Sequence, residues 1–271
     1  LRNIEEKLFG NKKAEEASVV SSGLLSFVAP THYVDLPSQG RFYPVGHPLH
    51  GKKSIEIKEM TAKEEDILTS ENYLKNGLTM DKLVESIILD KNLDADSIVS
   101  IDKTAILIAA RISAYGPTYK VLITCSGCSK ETKINYNLSE DPTVKFAKED
   151  LEITDAGTFI IKLPVSGWEV DCKLITTADE KRNNLNTTKT VDKLISNYLS
   201  SIIASINTVS DEEILKQAIE AMPMKDSKHL RDEYKNVIPN VKFALNFKCK
   251  ECSHEQELEA PVTLDFFWPN Q

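Results

Sequence analysis

Two Cys-x-x-Cys turns, Cys125-Ser126-Gly127-Cys128 and Cys249-Lys250-Glu251-Cys252, hold four of the chain's five cysteines. Zinc in closed structural sites takes thiolates, and two residues between cysteines let one tight turn supply two corners of a tetrahedron. Cys125, Cys128, Cys249 and Cys252 are therefore the expected ligands of one structural Zn2+. The knuckles are far apart in sequence, so the spacing is less specific than in a compact zinc finger, and the site must join distant parts of the chain. Gly127 is expected to relieve backbone strain in the first knuckle, and Lys248 and Lys250 to favour the thiolate form in the second. Free thiols are one alternative and redox chemistry another. A redox pair, however, sits at a helix N-terminus after a strand, whereas both motifs here lead into strand-like segments. Four sulfurs leave no open coordination position for water or substrate, which points to folding energy rather than catalysis. With four sulfurs present His254 reads as a bystander, and Cys172, in an alternating strand, as a small buried hydrophobe.

Other chemistry is sparse. No phosphate-binding glycine loop, dinucleotide fingerprint, nucleophile elbow or His-Glu-x-x-His helix occurs in the sequence. His47 and His50 fall in a Pro/Gly turn without an adjacent acid and read as loop histidines. Glu64, Glu65 and Asp66 lie in the first turn of an expected helix, where capping and the macrodipole account for them. A net charge of -8 argues against a nucleic-acid-binding surface, because phosphate binding needs clustered Lys and Arg. The longest apolar stretches, Ala105–Ala110 and Leu199–Ile206, fall short of the roughly 20 residues that cross a bilayer, so no membrane insertion is expected. Val19–Ala29 makes a poor secretory signal, which places synthesis in a reducing cytosol and fits metal binding better than disulfides.

The elements that must position the cysteines run the same course twice. Strand-like Ser54–Lys58 leads to Thr61-Ala62-Lys63-Glu64, and strand-like Trp168–Leu174 leads to Thr177-Ala178-Asp179-Glu180; both tetrapeptides fit a capping box that starts a helix. A second helix is expected through Met80–Leu89 and through Val191–Leu199, which share Asp-Lys-Leu and place Leu83, Ile87 and Ile88, or Leu194, Tyr198 and Leu199, on one face. A third covers Lys103–Tyr115 in one half and Asp211–Met222 in the other, with a further helix at Lys225–Lys235. Each half ends in a hairpin around its knuckle, Tyr119–Leu138 and Val241–Ala260. Chance similarity is the competing account. The fold class is α+β: two related helix-plus-β-hairpin halves, 34–141 and 142–263, joined through a zinc-ribbon-like four-cysteine site. An N-terminal arm, 1–33, precedes them, and an aromatic tail, 264–271, follows and either covers the chain's own core or anchors a partner.

The segment Asp35-Leu36-Pro37-Ser38-Gln39-Gly40-Arg41-Phe42-Tyr43-Pro44, then Ile57–Leu68 with Met60-Thr61-Ala62-Lys63-Glu64-Glu65-Asp66, then Ala109-Ala110-Arg111-Ile112-Ser113-Ala114-Tyr115-Gly116 and the Cys125 knuckle, resembles the baseplate hub proteins of T4-like tailed bacteriophages, best over residues 34–138. The resemblance implies a non-enzymatic virion subunit at the hub of a contractile-tail baseplate, made in the host cytoplasm. It would contact other hub and tape-measure proteins in a symmetric hetero-oligomeric assembly. Leu1–Ala29 and Leu264–Gln271 are the expected partner contacts, and no catalytic residue carries over. An assembly chaperone absent from the finished particle is the first alternative, and a zinc-ribbon adaptor that binds nucleic acid the second.

Overall fold

The computed structural model describes residues 29–140, 143–187, 193–259 and 264–267, so the expected arm up to residue 28 lies outside the described residues. Alternation in Thr31–Asp35 and Ser54–Lys58 produces the first strand pair, β1 and β2, antiparallel with Val34 opposite Ile55. The period of two turns Val34, Ile55 and Ile57 into the core. Three short helices follow, α1 (Ala62–Thr69), α2 (Glu71–Lys75) and α3 (Thr79–Ile87), and then the longer α4 (Ser100–Tyr115). Gly116, at φ +76, ends α4 and lets the chain turn into the hairpin of β3 (Thr118–Thr124) and β4 (Glu131–Asn137) that carries the first knuckle.

The chain continues through β5 (Thr143–Lys145), β6 (Phe159–Lys162), β7 (Glu169–Cys172), α5 (Thr177–Thr187), α6 (Leu194–Ile202) and β8 (Ile203–Ile206). Helices α7 (Glu212–Ala221) and α8 (Met224–Val237) come next, followed by β9 (Asn240–Lys242), β10 (Ala244–Lys248) and β11 (Glu255–Glu259). Strands β6, β7 and β8 form a three-stranded antiparallel sheet, and β10–β11 is the hairpin of the second knuckle. The fold is thus a mixture of helices and small sheets, and its buried side chains form one continuous core. No helix among the described residues is long and apolar enough to cross a membrane.

The expected capping box at α1 is present: Glu64 Oε2 accepts from the Thr61 amide at 2.9 Å and from its hydroxyl at 2.7 Å. At α5 the box forms one residue earlier than the sequence reading placed it. Asp179 Oδ2 accepts from the Thr176 amide at 3.1 Å and its hydroxyl at 3.0 Å. Thr177 cannot act as the cap because its own amide and hydroxyl donate to the Ile98 carbonyl, and Glu180 is drawn away to Lys103. Each capping carboxylate also meets a lysine from the end of the preceding strand, Lys58 at 2.6 Å and Lys173 at 2.8 Å.

Helices α3 and α6 have equal length and the same C-terminal contact: Ile88 bridges Ile57 and Ile203 pairs with Cys172. Leu83 is buried inside α3, whereas Leu194 opens α6 and is 59% exposed. Leu194 therefore does not join the apolar face expected of it. Helix α8 shares one feature with α4. In both, the third residue is a buried aspartate that holds a Leu-Pro turn: Asp102 accepts from the Ser38 amide at 2.9 Å and Asp226 from the Val165 and Ser166 amides at 2.8 Å. Asp102 also takes bonds from the hydroxyls of Ser38 and Tyr43, which anchors the Pro/Gly-rich loop after β1.

Several contacts tie the two parts together. Strand β5 pairs with β9, Val144 opposite Val241. Asp81 of α3 meets Lys103 of α4 at 2.7 Å and Lys181 of α5 at 3.4 Å, and Lys103 also reaches Glu180 at 2.8 Å. Arg111 is fully buried and donates to the carbonyls of Phe266 at 2.6 Å, Gly116 at 2.7 Å and Thr118 at 3.1 Å. Phe266 packs edge-on to Tyr119 at 5.1 Å, and both Phe266 and Phe267 are buried. These two rings, expected among the partner contacts, cover the chain's own core; the remaining tail residues, 268–271, lie outside the described residues.

Candidate metal centre

Each knuckle is a tight turn at the tip of a two-stranded hairpin, closed by the same pair of backbone bonds. The Cys125 amide donates to the Lys130 carbonyl and the Ser129 amide to the Cys125 carbonyl; the Cys249 amide donates to His254 and the Ser253 amide to Cys249. Ser129 and Ser253 both take the left-handed conformation, φ +57, that brings the chain back into the second strand. Gly127 is not left-handed, so it does not relieve strain as expected. It makes room instead: a Cβ there would sit 3.0 Å from the His254 ring and 3.4 Å from Cys252 Sγ.

The hairpins lie against one another so that all four sulfurs are within 4.8 Å. The near neighbours come from different hairpins, Cys125 with Cys252 at 3.6 Å and Cys128 with Cys249 at 3.7 Å. A tetrahedron of sulfurs about 2.3 Å from a zinc ion has edges of roughly 3.8 Å, so this donor set fits such an ion in kind and in size. Cys125 and Cys249 face the core, and Cys128 and Cys252 are progressively more open.

The electrostatics are uneven. Backbone amides of Cys252 and Glu251 point at Cys249 Sγ and pull its pKa down to about 7. At Cys252 the His254 amide favours the thiolate, yet burial and the three neighbouring thiols outweigh it and push the pKa up to about 12. At Cys128 the Lys130 amide favours the thiolate, but burial, with Cys249 and Cys125, raises the thiol on balance. The surroundings thus favour the thiolate at Cys249 and the thiol at Cys128 and Cys252, and a bound cation would favour the thiolate at each sulfur it touched. Neither Lys248 nor Lys250, expected to favour the thiolate, is among these causes at Cys249, and Lys248 pairs with Glu255 at 2.8 Å.

The chain matches, over residues 32–268, the family described as T4 bacteriophage base plate protein. It belongs to that family. No curated protein and no solved structure matches it. In this baseplate protein the other chemistry-bearing residues of the sequence reading have structural surroundings. His47 stacks on Tyr43 at 4.5 Å with Nε2 2.8 Å from Ser97, and burial lowers its pKa. His50 Nδ1 meets the Tyr43 carbonyl at 2.7 Å. Glu64 caps α1, and Glu65 and Asp66 are exposed beside it. Cys172 is fully buried, and burial pushes its thiol up to about 12, so it stays protonated and inert. Sequence reasoning missed the residues around the sulfurs that cross between the knuckles: Lys130 with Glu251, and Ser126 with His254 and Gln256. Their spacing from the cysteines was visible, but nothing in it announced which would reach across.

Proposed function

We propose that this baseplate protein is a structural subunit of the central hub, built from two related halves, 34–141 and 142–263, and stapled through one zinc ion held by Cys125, Cys128, Cys249 and Cys252. The observation that carries the reading is the pairing of Cys125 with Cys252 and of Cys128 with Cys249, each across the two hairpins at the edge length of a tetrahedral thiolate site. The recurring lysine–carboxylate helix caps and the recurring aspartate under a Leu-Pro turn support an internal duplication. Zinc in such a closed site would contribute folding energy, and its four ligands would leave no position for substrate.

In that role the chain works through contacts with other hub and tail proteins inside the virion. Metal analysis of the purified chain tests the staple: one zinc per chain is expected, lost in both Cys125→Ser and Cys249→Ser. Mass spectrometry of purified particles tests the role, since a subunit is present in them and an assembly chaperone is not. Nucleic-acid binding that weakens steeply with salt would favour the adaptor reading, against which the net charge of -8 stands.

A further inference from the structure

On either side of the four sulfurs a polar contact crosses from one knuckle to the other. On one side Lys130 Nζ reaches Glu251 at 2.7 Å. On the other the His254 ring lies over Gly127, with its Nε2 2.9 Å from Ser126 Oγ. Gln256 reinforces the second side: its Oε1 accepts from the Ser126 amide at 2.9 Å and hydroxyl at 2.5 Å, and its Nε2 donates to the Thr124 carbonyl at 3.3 Å. Lys130 and His254 hold the same place in their knuckles, since the carbonyl of each accepts the amide of its own first cysteine. Their targets lie in the same turn one position apart: Glu251 directly precedes a second cysteine, and Ser126 directly follows a first one. The two crossings thus start from the same place in each knuckle, one through charge and one through a ring.

We propose that Lys130, His254 and Gln256 are positioning residues of the metal centre, which hold the knuckles together so that the four thiols are gathered before the cation arrives. The proposal rests on reading the cluster as a metal site. Groups that orient ligands without touching the metal commonly govern affinity by about 10- to 100-fold. The Lys130–Glu251 pair is exposed and weak in isolation, so its value lies in bringing together two hairpins from distant parts of the chain. Losing a crossing should weaken binding and speed release while the ligand set stays the same.

The test uses the full reduced chain, titrated with Co2+ and Zn2+ against a chromophoric chelator, with the sulfur-to-cobalt charge-transfer and d–d bands reporting the ligand set. Lys130→Glu, and His254→Ala combined with Gln256→Ala, should each lower affinity by about tenfold or more with the four-thiolate spectrum intact. The charge swap Lys130→Glu/Glu251→Lys should restore it, which a merely misfolded variant could not do. Lys75→Glu, in a surface pair on α2, should leave affinity unchanged. Native affinity and release rate in both crossing variants would overturn the proposal and leave the metal reading standing. A native chain without the four-thiolate spectrum would overturn the metal reading itself, and a native spectrum with a nitrogen ligand lost on His254→Ala would make His254 a ligand rather than a positioning residue.

Discussion

Lys58 Nζ lies 2.6 Å from Glu64 Oε1, and the Glu64 side chain is wholly buried. Burial alone would raise the Glu64 pKa, but hydrogen bonds from Lys58, Ser86 and Thr61 outweigh it and bring the value down to about 2. The folded value is below the unfolded one, near 4.3, so the stability it contributes is complete above about pH 5 and is lost as pH falls toward 2. Asp179 is lowered in the same manner, with Lys173 and Thr176 overcoming burial. Glu64→Gln should therefore cost about 1–3 kcal/mol at neutral pH and flatten the loss of stability between pH 5 and 2. Urea denaturation across that range checks it, and an acid slope equal to that of the native chain would exclude Glu64 as its source.

Arg111 sits in the core with three carbonyl partners and, near it, the rings of Tyr115 and Phe266 at 5.2 and 5.8 Å. Arg111→Met keeps much of the volume but strands those carbonyls, and should destabilise by about 3 kcal/mol. Arg111→Lys should rescue little, because one ammonium cannot reproduce the planar fork. Hydrogen exchange should show the segment around Phe266 and Phe267 losing protection in both variants. Unchanged protection there would disconnect Arg111 from that segment.

Asn207 and Thr208 form the two-residue turn between Ile206 and Val209, and both have positive φ, +47 and +70. Asparagine tolerates this and its side chain accepts the Glu169 amide, but a β-branched threonine is strained there. Thr208→Gly should stabilise the protein by about 1 kcal/mol, read as a higher denaturation midpoint at unchanged slope.

Removal of metal by a chelator should lower the melting temperature, and Cys125→Ser and Cys249→Ser should do so to a similar extent. Because both belong to one proposed site, the double variant should be no worse than either single one. Additive losses would mean two independent sites.

The cysteine cluster was legible because its logic is local: two residues between thiols fix a knuckle whatever surrounds it. The strand at Ser54–Lys58 and the cap at Thr61 were legible for the same reason. The cap of α5 was not. Aspartate serves at Asp179 where glutamate serves at Glu64, which moved the apparent box by one residue, and the repeated Asp-Lys-Leu drew attention to Leu194, which is exposed. A better signal was present in the Leu-Pro pairs Leu36-Pro37 and Leu163-Pro164, each answered by an aspartate near the start of a later helix. That answer spans more than sixty residues, |i−j| 64 for Ser38 with Asp102, and no local pattern reveals it. Phe266 and Phe267 resemble an adhesive terminus until Arg111, 155 residues away from Phe266, is seen to hold that segment.

That last distance sets an order on biosynthesis. The ribosome delivers Arg111 and Tyr119 long before Phe266 and Phe267, so the nascent N-terminal part emerges with the place of those rings open and its two cluster thiols, Cys125 and Cys128, without their partners. Its completion must wait until Phe266 and Phe267 have cleared the exit tunnel. A polypeptide stalled or clipped anywhere between the two knuckles would carry an exposed apolar cleft, and host chaperones and proteases read that as unfinished.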